Sequence, residues 1–204
     1  MDRVFQLFSS WHVIRWMGLL AFFFFTISLA FGMLGRFNRF RRHKGLFQLI
    51  HISSSWAGIN ACLVHMLILM IDRYQPYTFA AIFVPFVSDY MRAATSLGMI
   101  SFYLLLVVLF TSDLLMSRLK RSVWKAVHLL VFPSWLLMLG HALWMGSDTS
   151  AWWGKTLYGT AVVVILTLFV FYLIDRQANH KRQLIVMEAQ APDDAGNALR
   201  RFLK

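Results

Sequence analysis

The chain has 204 residues, 59% of them hydrophobic and 14% charged. Charged residues make up about 25% of an ordinary soluble domain, so the composition excludes one. Several apolar runs approach the ~20 residues that cross a ~30 Å hydrocarbon core, and the expected class is an integral membrane protein. The formal net charge of +11 would suit nucleic acid in a soluble chain. Here the basic residues cluster in short segments at the ends of apolar runs, as in segments that orient a membrane protein and meet anionic headgroups.

Residues 1–10 are short and polar to amphipathic, and no small-residue cleavage site clearly follows the long apolar run after them, so no cleaved signal is expected. The first predicted span covers about residues 11–34 and includes Ala21-Phe22-Phe23-Phe24-Phe25. His12 and Arg15 lie near its start, at interfacial depth. Residues 35–44 contain Arg36, Arg39, Arg41, Arg42 and Lys44, which marks a cytoplasmic loop and places the N-terminus outside.

The second span, about residues 45–71, carries His51 and His65, fourteen positions apart. On a helix that interval leaves the two side chains about 40° apart on one face and ~21 Å apart along the axis. Ser53, Ser54, Ser55 and Gly58 lie between them and permit close approach of a helix or a flat macrocycle. Residues 72–91 form the longest loop, expected outside. Its apolar part, 78–87, is too short to span and is broken by Pro85, so it reads as an interfacial or re-entrant piece, either a lid or a surface segment.

The third span, about residues 92–115, reads as scaffold ending near Thr111-Ser112-Asp113, and Arg118, Lys120, Arg121 and Lys125 follow as a second inside loop. The fourth span, about residues 123–145, carries His128 and His141, thirteen positions apart. An ideal helix would set these about 140° apart. Pro133 removes a backbone hydrogen bond between them, so irregular geometry near residues 132–136 is expected to bring them together. Trp144, Trp152 and Trp153 flank an external turn, the fifth span covers about residues 154–174, and Asp175-Arg176 closes it inside. The expected architecture is an all-α bundle of about five transmembrane helices over residues 1–176, N-terminus outside, with a polar cytoplasmic tail at 177–204.

Ionisable groups at membrane depth are costly and point to function. Spans two and four both start inside, so His51 meets His128 at one depth and His65 meets His141 at another. Paired imidazoles facing across a gap are what a six-coordinate haem iron needs, while a zinc site needs its ligands converging on one ion. The expected cofactors are two haem b groups, an inner one on His51 and His128 and an outer one on His65 and His141. Arg42 and Lys125 are candidates to meet propionates at the inner level and Arg92 at the outer. The same three residues equally fit the positive-inside rule or headgroup anchoring. Cys62 is the sole cysteine and allows no internal disulfide; with no C-x-x-C-H motif the haem would be held without thioether bonds. Cys62 and the many Met residues read as packing, and His43 and His180 as solvated.

On these residues the chain resembles the ferric-reductase-like transmembrane domain, the group that includes the membrane core of NADPH oxidases, the metalloreductases and the bacterial haem subunit serving periplasmic methionine sulfoxide reductase. That family has His-x13-His and His-x12-His on its ligand helices. Here the matching residues are His51…His65 and His128…His141. Arg41-Arg42-His43-Lys44-Gly45-Leu46, Thr111-Ser112, Val123-Trp124-Lys125-Ala126-Val127-His128 and His141-Ala142-Leu143-Trp144-Met145-Gly146-Ser147-Asp148 are also similar. The resemblance covers roughly residues 10–175. Family members often have six spans where five are read here, and no flavin- or NADPH-binding module follows.

The resemblance implies a multi-pass protein of the bacterial plasma membrane. It would pass electrons from a separate flavoprotein or from quinol to an external acceptor: ferric iron, oxygen or a redox partner protein. Two other readings stay open. One is a haem-containing anchor subunit that docks a partner oxidoreductase, and the other is a His-based proton or metal transporter.

Overall fold

In a computed structural model the described residues are 10–72 and 77–190, and among them every regular element is helical. In chain order these are α1 (Ser10–Leu34), a 3-10 turn (Asn38–His43), α2 (Lys44–Ile71), α3 (Phe79–Phe83), α4 (Arg92–Asp113), α5 (Arg121–His128), α6 (Val131–Met145) and α7 (Trp152–Gln190). Five helical stretches are long and apolar enough to cross a membrane, with α5 and α6 together forming the fourth. Their outward faces stay apolar, with Phe23, Leu49, Leu67 and Val163 all exposed. A helix that is apolar all round suits a membrane span.

The core is two antiparallel hairpins. In the first, α1 lies along α2, and small residues on α2 allow the approach. A Cβ on Gly58 would sit 2.9 Å from the Phe25 ring, and the Ser28 and Ser55 hydroxyls bond at 2.7 Å. In the second, α4 lies along α6. Here Ser101 Oγ donates to Ser134 O at 2.8 Å and Ser134 Oγ donates to Ser101 O at 2.9 Å, both side chains fully buried. The hairpins join through α1 and α6, where Trp135 Nε1 donates to Thr26 Oγ1 at 3.0 Å and its ring stacks on Phe22 at 5.9 Å. By contrast α2 and α6 have no extensive backbone packing; what faces across their gap is histidine. The fifth span, α7, packs on α1 through Tyr158, whose ring meets Phe22 edge-on at 5.0 Å.

Two expectations shift. The irregularity in the fourth span lies at Leu129–Leu130, between α5 and α6, and not at residues 132–136. A proline ring clashes with the carbonyl four residues earlier, and for Pro133 that residue is Leu129. The break is tight. Leu130 N donates to Val127 O at 3.0 Å and Phe132 N donates to Leu129 O at 3.2 Å, both three residues back. A 3-10 step turns about 120° per residue against about 100° in an α-helix, so the break adds some tens of degrees to the thirteen-residue interval and turns His128 toward the face of His141. The variant Pro133→Ala should let α5 and α6 join as one straight helix, swing His128 out of line with His141 and lower ligand occupancy at His128. Circular dichroism would register the added turn.

The second shift concerns the end of the fifth span. The helix does not close at Asp175-Arg176; α7 runs unbroken through them to Gln190. Its 39 residues extend ~58 Å at ~1.5 Å per residue, well beyond a hydrocarbon core. The rest of the expected tail, residues 191–204, lies outside the described residues, as do residues 1–9 and 73–76 of the expected loop.

Candidate functional site

The antiparallel hairpins put four histidines at two levels. His51 of α2 faces His128 of α5 at the end that carries the basic stretches, with ring centres 6.1 Å apart and planes at 67°. His65 of α2 faces His141 of α6 near the opposite end, at 6.5 Å and 86°. Metal–nitrogen bonds of about 2.0–2.1 Å, plus ~1.1 Å from each nitrogen to its ring centre, put two rings on one ion roughly 6.3 Å apart. Both pairs have that separation. Among the described residues no three His, Cys, Asp or Glu converge on one point. The histidines are partners in twos.

Each ring is fixed from behind by its neighbouring hairpin helix. His51 Nδ1 donates to Ser28 O at 2.8 Å, His65 Nδ1 to Ile14 O at 2.8 Å, and His141 Nδ1 to Ala94 O at 2.9 Å. A carbonyl only accepts, so Nδ1 carries the proton and the Nε2 lone pair is free. This is the arrangement that orients a metal-ligating histidine and raises its basicity. His128 differs: its Nδ1 meets the Ser112 hydroxyl at 3.2 Å.

The supporting helices carry a small residue at each contact. A Cβ on Gly18 would lie 3.2 Å from His65 Nδ1, one on Gly32 would lie 3.0 Å from His51 Nδ1, and one on Gly98 would lie 2.8 Å from His141 Nδ1. In all three cases the accepting carbonyl belongs to the residue four before the glycine, Ile14, Ser28 and Ala94. Gly18 and Gly32 are fourteen positions apart, and so are Gly98 and Ser112. The two hairpins are thus variations on one plan, with serine at the fourth place using its side chain where glycine exposes a carbonyl. Sequence reading missed this repeat, although its spacing matches that of His51 and His65.

The opposite-end pair opens on a cavity of about 270 Å³. Gly18, Cys62, His65, Gly98 and His141 line it, and it continues past Tyr77 and Tyr90. The segment 78–87 lies over it. Ala81 and Ile82 are buried in its wall, while Phe79 and Phe86 point outward, 65% and 60% exposed. Thr78 caps α3, its hydroxyl accepting from Ala81 N at 3.1 Å. Phe86 and Met91 have φ of 67° and 41°, a left-handed conformation that bulky residues rarely adopt.

Arg42 is exposed on the 3-10 turn, and Lys125 is exposed one turn before His128. At the opposite end Arg92 is exposed, donates from Nε to Ser88 O at 3.4 Å and does not line the cavity. Arg15 does line it, bridges to the buried Asp148 and lies over the Trp153 ring at 5.6 Å. The variant Asp148→Asn strands this cation. Breaking a buried pair costs about 3–5 kcal/mol, and because Arg15 is 30% exposed the expected loss is nearer 1–2 kcal/mol after solvent screening. A lower melting temperature in detergent, recovered in the Arg15→Met, Asp148→Leu double variant, checks it.

His43 is exposed and stacks on Phe47, with ring centres 6.2 Å apart. One buried polar atom has no partner among the described residues: Nε1 of Trp124. Leaving a buried donor unpaired costs about 1–3 kcal/mol, so such a group calls for a ligand, a water or another explanation.

Comparison of the chain with protein-family models, with curated proteins and with solved structures found no match.

Proposed function

We propose that the chain is a membrane cytochrome b that carries electrons across a bilayer between two haem levels, His51 with His128 and His65 with His141. The observation that carries the reading is the paired imidazoles at coordination separation, three of the four with Nδ1 donated to a backbone carbonyl and Nε2 left free. The residues fit haem iron, which takes two axial imidazoles, better than a zinc ion, which takes three or four protein ligands. Haem b bound at each level would supply one-electron oxidation and reduction.

The chain's own contributions follow from the packing. The four histidines would hold the haem irons, and the carbonyls behind His51, His65 and His141, with the Ser112 hydroxyl behind His128, keep the rings from rotating. Phe22, Phe25, Phe102 and Trp135 lie between the levels and are all buried. They exclude water there and keep the dielectric low, which with the axial ligands sets the redox poise.

The basic end, with Arg36 to Lys44 and Arg118 to Lys125, takes the cytoplasmic side by the positive-inside rule. That orientation puts the N-terminus outside, in a bacterial plasma membrane. The ferric-reductase-like resemblance supports the same reading. Electrons would enter from a separate flavoprotein or from membrane quinol and leave at the His65–His141 end to ferric iron, oxygen or a partner protein. Arg15, which lines the cavity, joins Arg92 as a candidate cation for the outer level.

The absorption spectrum of the purified protein, oxidised and reduced, with haem counted as the pyridine haemochrome, is the test. Two b-type haems per chain are expected. A colourless protein made with ample haem would overturn the proposal in favour of His-based transport.

A further inference from the structure

Trp124 lies flat against His128, with ring centres 5.0 Å apart and planes at 27°. It is four residues before His128 on α5, so the two side chains share one helix face. Its indole N–H is fully buried and meets no acceptor among the described residues. An indole nitrogen only donates, so whatever satisfies it must bring a lone pair. No Asp or Glu of α5 is available, because Arg121–His128 contains none. Its charged members are Arg121 and Lys125, both basic, and the carboxylate of Asp113, beside Ser112 at the end of α4, is exposed. The surroundings therefore suit an anion. His128 is also the one histidine of the four whose Nδ1 is not held by a carbonyl, so at this level the ring is positioned by its stack on Trp124 and by the Ser112 hydroxyl.

Resting on the proposed haem sites, we infer that Trp124 is a positioning residue for the haem at the basic end: its indole N–H donates to a carboxylate of the group bound between His51 and His128, with Lys125 of the same helix balancing the charge. An N–H given to a carboxylate is a charge-assisted hydrogen bond, stronger and shorter than a neutral one. It withdraws negative charge from the haem edge and so favours the reduced iron. The same contact fixes the group against rotation in its slot.

The experiment is a potentiometric titration, followed optically, of the purified two-haem protein and of Trp124→Phe, which keeps the aromatic stack and removes the donor. The basic-end haem is identified as the one missing from His128→Ala. Removing the donor should shift its one-electron equilibrium about tenfold toward the oxidised form, ~59 mV. It should also steepen the pH dependence of that potential, because a carboxylate without its donor takes up a proton more readily. The opposite-end haem should not move. Two haems with both potentials unchanged overturns the inference. If Trp124→Phe loses the basic-end haem, Trp124→His, which restores a ring N–H, separates the causes. Recovery of the haem supports donation, and continued loss shows that indole bulk alone is required and overturns it. A parent protein without haem would instead remove the two-haem reading itself, so the two failures are distinct.

Discussion

Replacing His65 by alanine should lower the haem count from two per chain to one, and the haem that remains should be the basic-end one. The two levels are independent by geometry. Fourteen residues of α2 separate His51 from His65, ~21 Å of helix rise, and the support for each ring comes from a different stretch of α1, around Ser28 for one and around Ile14 for the other. With His65 gone, His141 keeps its bond to Ala94 O but faces an empty half of the cavity. A single axial histidine holds haem far less tightly than two. His51→Ala should have the mirror effect, and the double variant should be colourless yet folded, since the second hairpin is held by Ser101 and Ser134 and joined to the first by Trp135 and Thr26, in bonds that involve no histidine. His43→Ala is the control and should keep both haems, because His43 is exposed and stacks on Phe47, away from both pairs. In sealed vesicles each single histidine variant should stop reduction of an enclosed acceptor by an external donor. If His65→Ala retained two haems with unaltered potentials, the pairing would be wrong.

Much of the fold is legible because membrane spans are written in composition. Apolar runs and basic stretches locate the five long helices without any tertiary information. The His51–His65 face is equally plain, because fourteen residues nearly close four turns. His128 and His141 are harder. Their thirteen-residue interval points to opposite faces, and only the break at Leu129–Leu130, set by the clash of the Pro133 ring one turn upstream, restores the match. The support positions escape a reading that scores glycine as a weak helix former. Gly18, Gly32 and Gly98 matter for the space they leave and the carbonyl they uncover, and that shows only when the partner ring is in place. Arg15 and Asp148 are 133 positions apart in the chain, so a cation read as interfacial and a carboxylate in an external turn become one bridge on the cavity wall. Trp124 is legible only as part of the run 123–128 that carries the resemblance; its unsatisfied N–H has no signature in a sequence.

Alanine at Gly98 should damage the opposite-end haem site more than alanine at either other support glycine. The added Cβ would sit 2.8 Å from Nδ1, 2.9 Å from Cε1 and 3.0 Å from Cγ of His141. It meets the ring face broadside, so a small rotation about χ2 cannot relieve it. The ring must move away from α4, and in moving it gives up the 2.9 Å bond to Ala94 O. Losing such an outer partner typically costs about 10- to 100-fold in metal affinity, and the displaced ring adds to that. At Gly32 the nearest approach is 3.0 Å, to His51 Nδ1, and Cγ is already at 3.7 Å; at Gly18 it is 3.2 Å, to His65 Nδ1. The expected order of haem loss to an external acceptor is therefore Gly98→Ala fastest, Gly32→Ala next and Gly18→Ala slowest. The first and third should affect the His65–His141 haem and the second the His51–His128 haem. Ser112→Gly probes the fourth place from the other side. It removes the hydroxyl that meets His128 Nδ1 but clears the same kind of slot that the three glycines make. If the site depends on space alone, this variant keeps its basic-end haem as firmly as the parent. If it depends on the partner to Nδ1, the haem is lost faster. The plan repeated in the two hairpins predicts the second, because at every level of this bundle a polar atom of the supporting helix stands behind the imidazole.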